Sequence, residues 1–400
     1  MSCLAAVLGA VCLLAPPAAG EPTPGDPPVP REESVAGLPP IDADAYRRHV
    51  EVLADPRMRG RFGADSRPAA RYVARRLAEI GLTPLFGTRF IEPILDKDAR
   101  EIGENVGAML VGSDPTLRGE YVLVTAHHDH IGVRGGRVYP GANDNASGVA
   151  MVLESARVLA QTPHPRTLVF VSFGLEERML WGSRTFAADP PLELSRIQLF
   201  ITADMLGRPV GGLPLPEVFV IGGESVAIAG EPPGAYTDFV ASTGSSLGQP
   251  VLRIGGDVVG TRSDYGPFRD REVPFLFFST GENPDYHQPG DTAERLEYNL
   301  ATGATSVIAA VAADAADRPD RLTWATRRPP QVAEAETMRR VSSLVLREAK
   351  EGRFELPLVQ QVLVQQVYDR SSTIVDRGSM SEAERTVLKR AAQAMMVAIF

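Results

Sequence analysis

The stretch YVLVTAHHDH (121–130) joins a run rich in valine and leucine to a cluster of histidine and aspartate. Short runs of apolar and β-branched residues bounded by polar residues are typical of buried strands. The same arrangement recurs along the chain. Three further apolar runs precede acidic residues or histidine: 167–173 before Glu176 and Glu177, 199–203 before Asp204, and 274–279 before His287.

Helical patterns separate several of these predicted strands. Residues 147–160 place Val149, Val152 and Leu153 on one helical face, and 42–54 and 67–80 have the same spacing. Strands that alternate with helices predict an α/β fold with a mainly parallel mixed sheet sandwiched by helices. In such sheets ligands bind at the carboxyl ends of the strands, so the polar clusters are expected to meet at one place.

The remaining segments predict the domain organisation. Residues 1–20 contain an apolar run and end in small residues, which predicts a signal peptide and an exported (periplasmic or extracellular) protein, although no basic residue precedes the run. Residues 21–40 are rich in proline and predict a linker, and 41–325 predict the catalytic domain. Residues 208–260 are less periodic, with a hairpin expected around 217–221. Residues 326–400 predict a helical C-terminal extension, with helical patterns at 332–349, 356–369 and 381–399.

Composition excludes several classes of function. The formal net charge of −9 argues against a nucleic-acid partner, because phosphate binding needs a basic surface. After the N-terminus no apolar run is long enough to predict a transmembrane helix. Both cysteines, Cys3 and Cys12, lie in the predicted signal peptide, so neither disulfides nor thiolate metal ligands are expected in the mature chain.

The clusters together predict a metal site. The segment GANDNASG (141–148) adds Asp144 at the predicted start of a helix, where a carboxylate is favoured. The clusters together offer two imidazoles and three carboxylates, plus one spare glutamate, as candidate ligands. Such ligands suit zinc first, with manganese or cobalt as substitutes. A carboxylate shared by two cations, each with one further histidine and carboxylate, is typical of a two-metal hydrolytic site.

The segments AHHDH (126–130), GANDNASG (141–148), GLEE (174–177), ADMLGR (203–208) and DYHQPGDT (285–292) resemble, in this order, the five signatures of the co-catalytic zinc aminopeptidases of the MH clan. The resemblance covers about residues 41–315. It implies that Asp144 bridges two zinc ions, that His127 and Asp204 complete one site, and that Glu177 and His287 complete the other.

The resemblance also implies a reaction and a general base. An N-terminal peptide bond would be hydrolysed by a hydroxide that bridges the two zinc ions, with Glu176 as the general base and the N-termini of peptides or proteins as substrates. Asp129 lies two residues after His127, where it is expected to accept the other ring N–H of that histidine. His128 and His130 are expected to be rim or packing residues, and Asp291 is expected to shape the loop that carries His287.

Several alternatives remain open from the sequence. A single-zinc glutaminyl cyclase-like acyl transferase, or a carboxypeptidase or dipeptidase of the same fold, would use much of the same residue set. A binding protein that has lost activity would lack ligands or the base, and none is missing here. Tyr265 and Arg262 are both candidates for assisting the oxyanion, and Glu282 is a candidate for binding the substrate amine. The sequence leaves the oligomeric state, the side-chain preference and the role of the C-terminal helices undetermined.

Overall fold

The apolar run beside the histidines forms the central strand of a nine-stranded mixed sheet. The structure, a computed structural model, describes residues 37–399, and their side chains as far as residue 396. The predicted signal peptide and most of the predicted linker lie outside the described residues. The strands are β1 Thr83–Pro84, β2 Ile91–Leu95, β3 Glu101–Leu110, β4 Tyr121–His127, β5 Val133–Arg134, β6 Arg137–Val138, β7 Thr167–Phe173, β8 Ile197–Ala203, β9 Val218–Ile221, β10 Val226–Ile228, β11 Val251–Ile254, β12 Phe275–Ser279 and β13 Leu322–Trp324.

Helices connect and cover these strands. They are α1 Ala43–Leu53, α2 Arg67–Glu79, α3 Ser147–Leu159, α4 Trp181–Ala188, α5 Ala235–Ser246, α6 Gly256–Val259, α7 Gly266–Arg269, α8 Tyr298–Asp317, α9 Val332–Lys350, α10 Leu358–Arg377 and α11 Glu382–Ile399. The predicted helices 42–54, 67–80 and 147–160 correspond to α1, α2 and α3. The side chain of Asp42 accepts backbone N–H groups at the start of α1, as an N-cap residue does.

The sheet order is β1-β3-β7-β4-β8-β12-β9-β11, with β2 paired to β3. The four central strands β7, β4, β8 and β12 are parallel, whereas β3 and β9 join them antiparallel. Every residue of β7 and β8 is buried, because helices cover both faces of the sheet. The predicted α/β class, a mixed sheet flanked by helices, is confirmed.

Two apolar clusters lie on opposite faces of the sheet. One includes Val122 and Val124 of β4 with residues of α1, α2, α3 and α8. The other includes Leu123 of β4, residues of α4 and α7, and residues of the C-terminal helices. Alternate residues of one strand therefore serve different clusters, as the period of two in a strand requires. Within the described residues no helix is apolar over a length that would cross a membrane.

The predicted hairpin around 217–221 is wrong. The segment forms β9, which lies inside the main sheet, antiparallel to β12 and parallel to β11. Its partners come from distant parts of the chain, so local turn signals do not reveal the pairing. The apolar run 218–221 is buried on every residue, which the sheet position explains.

The C-terminal region forms the three predicted helices α9, α10 and α11. The capping box at the start of α11 is confirmed: the Ser381 hydroxyl accepts the Glu384 N–H, and the Glu384 carboxylate accepts the Ser381 N–H. Helix α10 continues to Arg377, beyond the predicted 369, and ends where Gly378 adopts a φ of 71°. The proposed division of the chain at 325/326 stays a prediction.

Candidate metal centre

The parallel strands carry the polar clusters to one edge of the sheet. His127 is the last residue of β4, and Asp204 directly follows β8. Glu177 follows β7 by four residues, on the loop that leads to α4. Because β7, β4 and β8 are adjacent and parallel, these three side chains leave the sheet at the same end.

The first group of candidate ligands consists of His127, Asp144 and Asp204. His127 Nε2 lies 3.6 Å from Asp144 Oδ1 and 3.4 Å from Asp204 Oδ1. All three side chains are buried. The Ser263 hydroxyl donates a hydrogen bond of 3.1 Å to Asp204 Oδ2, which leaves Oδ1 directed at the histidine.

The second group shares Asp144 with the first. His287 Nε2 lies 3.2 Å from Asp144 Oδ2 and 3.1 Å from Glu177 Oε2. The structure therefore brings together all five predicted ligands, with Asp144 common to both groups. It also adds His130, which is buried, with Nδ1 2.9 Å from Glu177 Oε1 and 3.6 Å from Asp144 Oδ2. His128 is also buried, and it packs with Nδ1 3.0 Å from the Ser172 hydroxyl.

The two groups suit divalent cations. His127 Nε2, His287 Nε2 and Asp204 Oδ1 are buried and have no hydrogen-bond partner among the described residues. Buried polar atoms are normally paired, so three unpaired atoms within these two groups need an explanation. Imidazole nitrogens and carboxylate oxygens are the ligands that zinc takes in the absence of thiolates. The donor set therefore fits two metal ions that share one carboxylate.

Electrostatics also favours cations here. Burial opposes protonation of His287, but contacts with Asp144 and Glu177 outweigh it and raise its pKa to about 10. Burial alone would raise the pKa of Glu177, yet the hydrogen bond with His130 and the nearby imidazole of His287 hold it well below its usual range. The crowded carboxylates thus attract positive charge, and a metal ion would displace the protons from the histidines.

Glu176 lies beside these candidate ligands and faces the same cavity as Asp144, Asp204 and His287. Burial raises its pKa well above the usual value, and Asp204 and Asp264 add to the rise, while His127 opposes it. A carboxyl group with a raised pKa accepts a proton more readily than an exposed one.

Asp129 positions the loop that carries both glutamates. Its Oδ1 accepts the Glu176 N–H at 3.0 Å, and its Oδ2 accepts the Glu177 N–H at 3.3 Å. The ring of His127 was expected to bond to the Asp129 carboxylate, but its hydrogen bond goes to the backbone. His127 Nδ1 lies 3.3 Å from the Asp129 carbonyl oxygen and 3.7 Å from Asp129 Oδ1. In the structure the carboxylate of Asp129 therefore holds the two backbone N–H groups and does not act on the histidine alone.

Asp291 holds the loop that carries Asp144. Its Oδ1 accepts the Asn143 N–H at 2.8 Å, and its Oδ2 accepts the Asp144 N–H at 3.0 Å. Asp291 is almost fully buried, and burial raises its pKa to about 6 against the effect of these hydrogen bonds. It was expected to shape the loop of His287, whereas its carboxylate accepts hydrogen bonds from the backbone of Asn143 and Asp144.

Arg61 supports the site and was not identified from the sequence. Its guanidinium is fully buried and donates to the carbonyl oxygens of Leu53, His128, Pro140 and Gly141. These bonds connect the first helical region to the histidine segment and to the loop of Asp144. An arginine in the glycine-flanked segment GRFG gives no local signal of burial, because its acceptors lie up to 80 residues away.

The change Arg61→Met is expected to lower the free energy of unfolding of the metal-free chain by about 3 kcal/mol, because four buried carbonyl oxygens lose their donor. Chemical denaturation followed by circular dichroism measures this. Arg59→Met is the matched control, since Arg59 is exposed and pairs only with Asp65; its effect is expected to stay within about 0.5 kcal/mol. Equal effects of the two changes would contradict the role of Arg61.

The two candidates for assisting the oxyanion differ in position. Tyr265 is fully buried between Phe275 and Phe277, and its hydroxyl donates to the Gly260 carbonyl. This residue belongs to the core and does not line the cavity beside the ligands. Arg262 does line that cavity, where it pairs with Glu282 at 2.6 Å.

A cavity of about 180 Å³ begins at Asp144, Glu176, Glu177, Asp204 and His287. Tyr286 lines it too, and its ring stacks on His287 with 3.9 Å between ring centroids. The sequence reasoning did not single out this tyrosine. Beyond the charged residues the cavity is lined mainly by aliphatic side chains, phenylalanines and methionines.

Comparison of sequences finds a family match that spans the segment carrying the candidate ligands. Residues 105–312 match the profile described as Peptidase family M28. Aminopeptidase YwaD of Bacillus subtilis is 29% identical over 188 residues, 44% of this chain and 37% of that protein. The rat endoplasmic reticulum metallopeptidase 1 is 30% identical over 202 residues, 48% of this chain and 20% of that protein. This chain therefore spans less than half the length of either relative.

Comparison of structures shows the same fold in solved proteins. An aminopeptidase from Aneurinibacillus sp. strain AM-1 superposes with a TM-score of 0.54 at 18% identity, over 73% of this chain and 98% of the other. A glutaminyl cyclase from Porphyromonas gingivalis superposes with a TM-score of 0.54 at 18% identity, over 68% of this chain and 97% of the other. At these identities the likeness shows the fold alone.

Proposed function

Because the chain belongs to peptidase family M28, we propose that it is a zinc-dependent aminopeptidase that removes the first residue from peptides or proteins. The observation that carries this proposal is the pair of metal-binding groups that share Asp144 and lie beside Glu176. Two sites that share one carboxylate suit a pair of cations that act on one scissile bond. A single-metal enzyme would have no need for a second complete group.

The proposed ligands divide as the geometry groups them. His127 and Asp204 would hold one zinc ion, Glu177 and His287 would hold the other, and Asp144 would contribute to both sites. His130 lies close enough to Glu177 to orient its carboxylate. When bound, the zinc ions supply Lewis acidity, which polarises the scissile carbonyl and makes a water molecule easier to deprotonate. Manganese or cobalt are expected substitutes.

Glu176 is the proposed general base. Its carboxylate accepts a proton from the attacking water and returns it to the nitrogen of the leaving amine. Its backbone N–H is held by Asp129, as is that of Glu177, so the ligand and the base are positioned by one carboxylate. Glu282 lines the same cavity and is the proposed partner of the free substrate amine, in exchange for its pairing with Arg262.

The test uses a panel of aminoacyl p-nitroanilides with the chain purified from residue 21 onward. Release of nitroaniline is expected to disappear after chelation and to return when zinc is added, because the bound metal activates the reaction. Two zinc ions per chain are expected by elemental analysis. A chain with two ions that cleaves no substrate with a free amine would overturn the aminopeptidase proposal; activity on blocked peptides, on dipeptides only, or in cyclising an N-terminal glutamine would then assign one of the related reactions.

We also propose that the protein is exported. The support is the composition of residues 1–20, with an apolar run and small residues at the expected cleavage point. Fractionation of cells that express the full chain, with the N-terminus of the product sequenced, tests this. An uncleaved chain in the cytoplasm would contradict it.

A further inference from the structure

We propose that the C-terminal helices α9 and α11 form the far wall of the pocket for the substrate's first side chain, and that this pocket selects large apolar residues, aromatic ones included. The proposal rests on the aminopeptidase function proposed above. It gives the C-terminal extension a role in substrate selection. The extension lies outside the family match, which covers residues 105–312.

The chemistry of the cavity changes with distance from the ligands. One side presents the carboxylates of the metal centre, as described above. Away from the carboxylates, one apolar wall comes from β9, β11 and β12 of the sheet and from α6. Its residues include Phe219, Ile254, Val258 and Phe277. In the first residue of a substrate, the side chain branches from the Cα, and the Cα is bonded directly to the carbonyl carbon. When that carbonyl group lies at Glu176, the side chain is only two bonds away from the carbonyl carbon. That side chain therefore enters the apolar part.

The last wall is supplied by the C-terminal helices. Met338 and Val341 of α9 and Ala392, Met395 and Met396 of α11 line the cavity. Methionine side chains are flexible and polarisable, so they adapt to apolar groups of different shapes and contact aromatic rings favourably. With both helices in place the cavity ends against side chains, which limits the length of the group that it accepts.

Specific contacts fix the position of this wall. Arg385 of α11 pairs with Glu334 of α9 at 2.7 Å and with Asp257 of α6 at 2.7 Å. The Thr337 hydroxyl of α9 donates to the Arg253 carbonyl of β11 and accepts the Arg253 N–H, which ties α9 to the edge of the sheet. The three helices that line the pocket are thus held to one another and to the strand beside it.

The volume suits a large side chain. The cavity measures about 180 Å³. An apolar cavity of roughly 150 Å³ in another protein binds benzene, so a phenylalanine side chain fits within the available space. A lysine or aspartate side chain would lose its hydration in the apolar part of the cavity, where lining residues such as Phe219, Val258 and Met338 offer it no charged partner.

The test compares phenylalanyl and alanyl p-nitroanilides with the zinc-loaded full mature chain. Wild-type kcat/KM is expected to be about 100-fold higher for the phenylalanyl substrate. Met395→Trp fills the pocket, so its kcat/KM for phenylalanine is expected to fall by about 10-fold or more while that for alanine changes by less than about 3-fold. Met395→Ala enlarges the pocket and is expected to raise kcat/KM for a naphthylalanyl substrate relative to phenylalanyl.

Val387→Trp is the matched control, because Val387 lies on the exposed side of the same helix and does not line the cavity. It is expected to leave both substrates unchanged. If Met395→Trp and Met395→Ala lower the two activities by equal factors, or change neither, in proteins with wild-type circular dichroism, the helices do not form the pocket.

A second readout separates this proposal from the proposed function. Binding of L-phenylalanine hydroxamate and L-alanine hydroxamate is measured by calorimetry with wild type and both variants. A wild type that cleaves no aminoacyl amide counts against the aminopeptidase function. The hydroxamates then decide the pocket by themselves: tighter binding of the phenylalanine compound that Met395→Trp abolishes supports it, and equal affinities overturn it.

Discussion

Glu176→Gln is expected to lower kcat by about 10³-fold, because the amide cannot accept the proton of the attacking water. Glutamine has nearly the shape of glutamate, and the backbone N–H of residue 176 keeps its bond to Asp129. The ligand geometry is therefore retained, and KM is expected to change little. Steady-state kinetics with the best p-nitroanilide measures the effect.

The interpretation depends on metal content and on a control. The variant is expected to keep two zinc ions per chain, since Glu176 is not among the grouped ligands. Glu51→Gln, on the exposed side of α1, makes the same chemical change away from the site and should leave kcat unaltered. A Glu176→Gln protein with two zinc ions and kcat within about 10-fold of wild type would show that another group moves the proton.

Asp144→Asn is expected to have the largest effect on metal binding, because both groups lose a carboxylate oxygen at once. Even partners that contact a metal ligand without binding the metal typically change affinity by about 10–100-fold. Loss of the shared ligand is therefore expected to weaken zinc binding by more than about 100-fold, with activity falling in step. Zinc per chain after dialysis, and the dissociation constants from competition with a chelator, measure this.

Asp98→Asn is the control for this change, since Asp98 is exposed in a turn before β3. It should retain two zinc ions and full activity. The bridging assignment fails if Asp144→Asn retains two ions with unchanged affinity. Loss of one ion only, with the other held at wild-type affinity, would place Asp144 in a single site.

Much of the metal centre could be predicted because its signals are local. His127 and Asp204 end or directly follow apolar runs, and a parallel sheet delivers such positions to one edge. The order of the five motifs then assigned the ligands. The strand pairing of β9 escaped prediction, because its partners β11 and β12 are set by the closure of the whole sheet and not by neighbouring residues.

The supporting residues needed the structure for a related reason. Arg61, Asp129 and Asp291 act by bonding to backbone groups, and any residue can present a backbone group, so no motif marks the partner. Tyr265 was a candidate for assisting the oxyanion, but the structure buries it between Phe275 and Phe277. Neither the backbone contacts of the supporting residues nor the burial of Tyr265 can be inferred from positions in the sequence.

By itself the sequence determined the fold class, and its motifs indicated the candidate ligands, the candidate general base and the sharing of Asp144, because residue type and spacing decide which chemistry is available and strand ends decide where it collects. Only the tertiary structure decided that His130 lies against Glu177, and that Met338 and Met395 line the same cavity as Glu176. These depend on three-dimensional contacts between segments far apart in the chain, and such contacts are set by packing of the complete core.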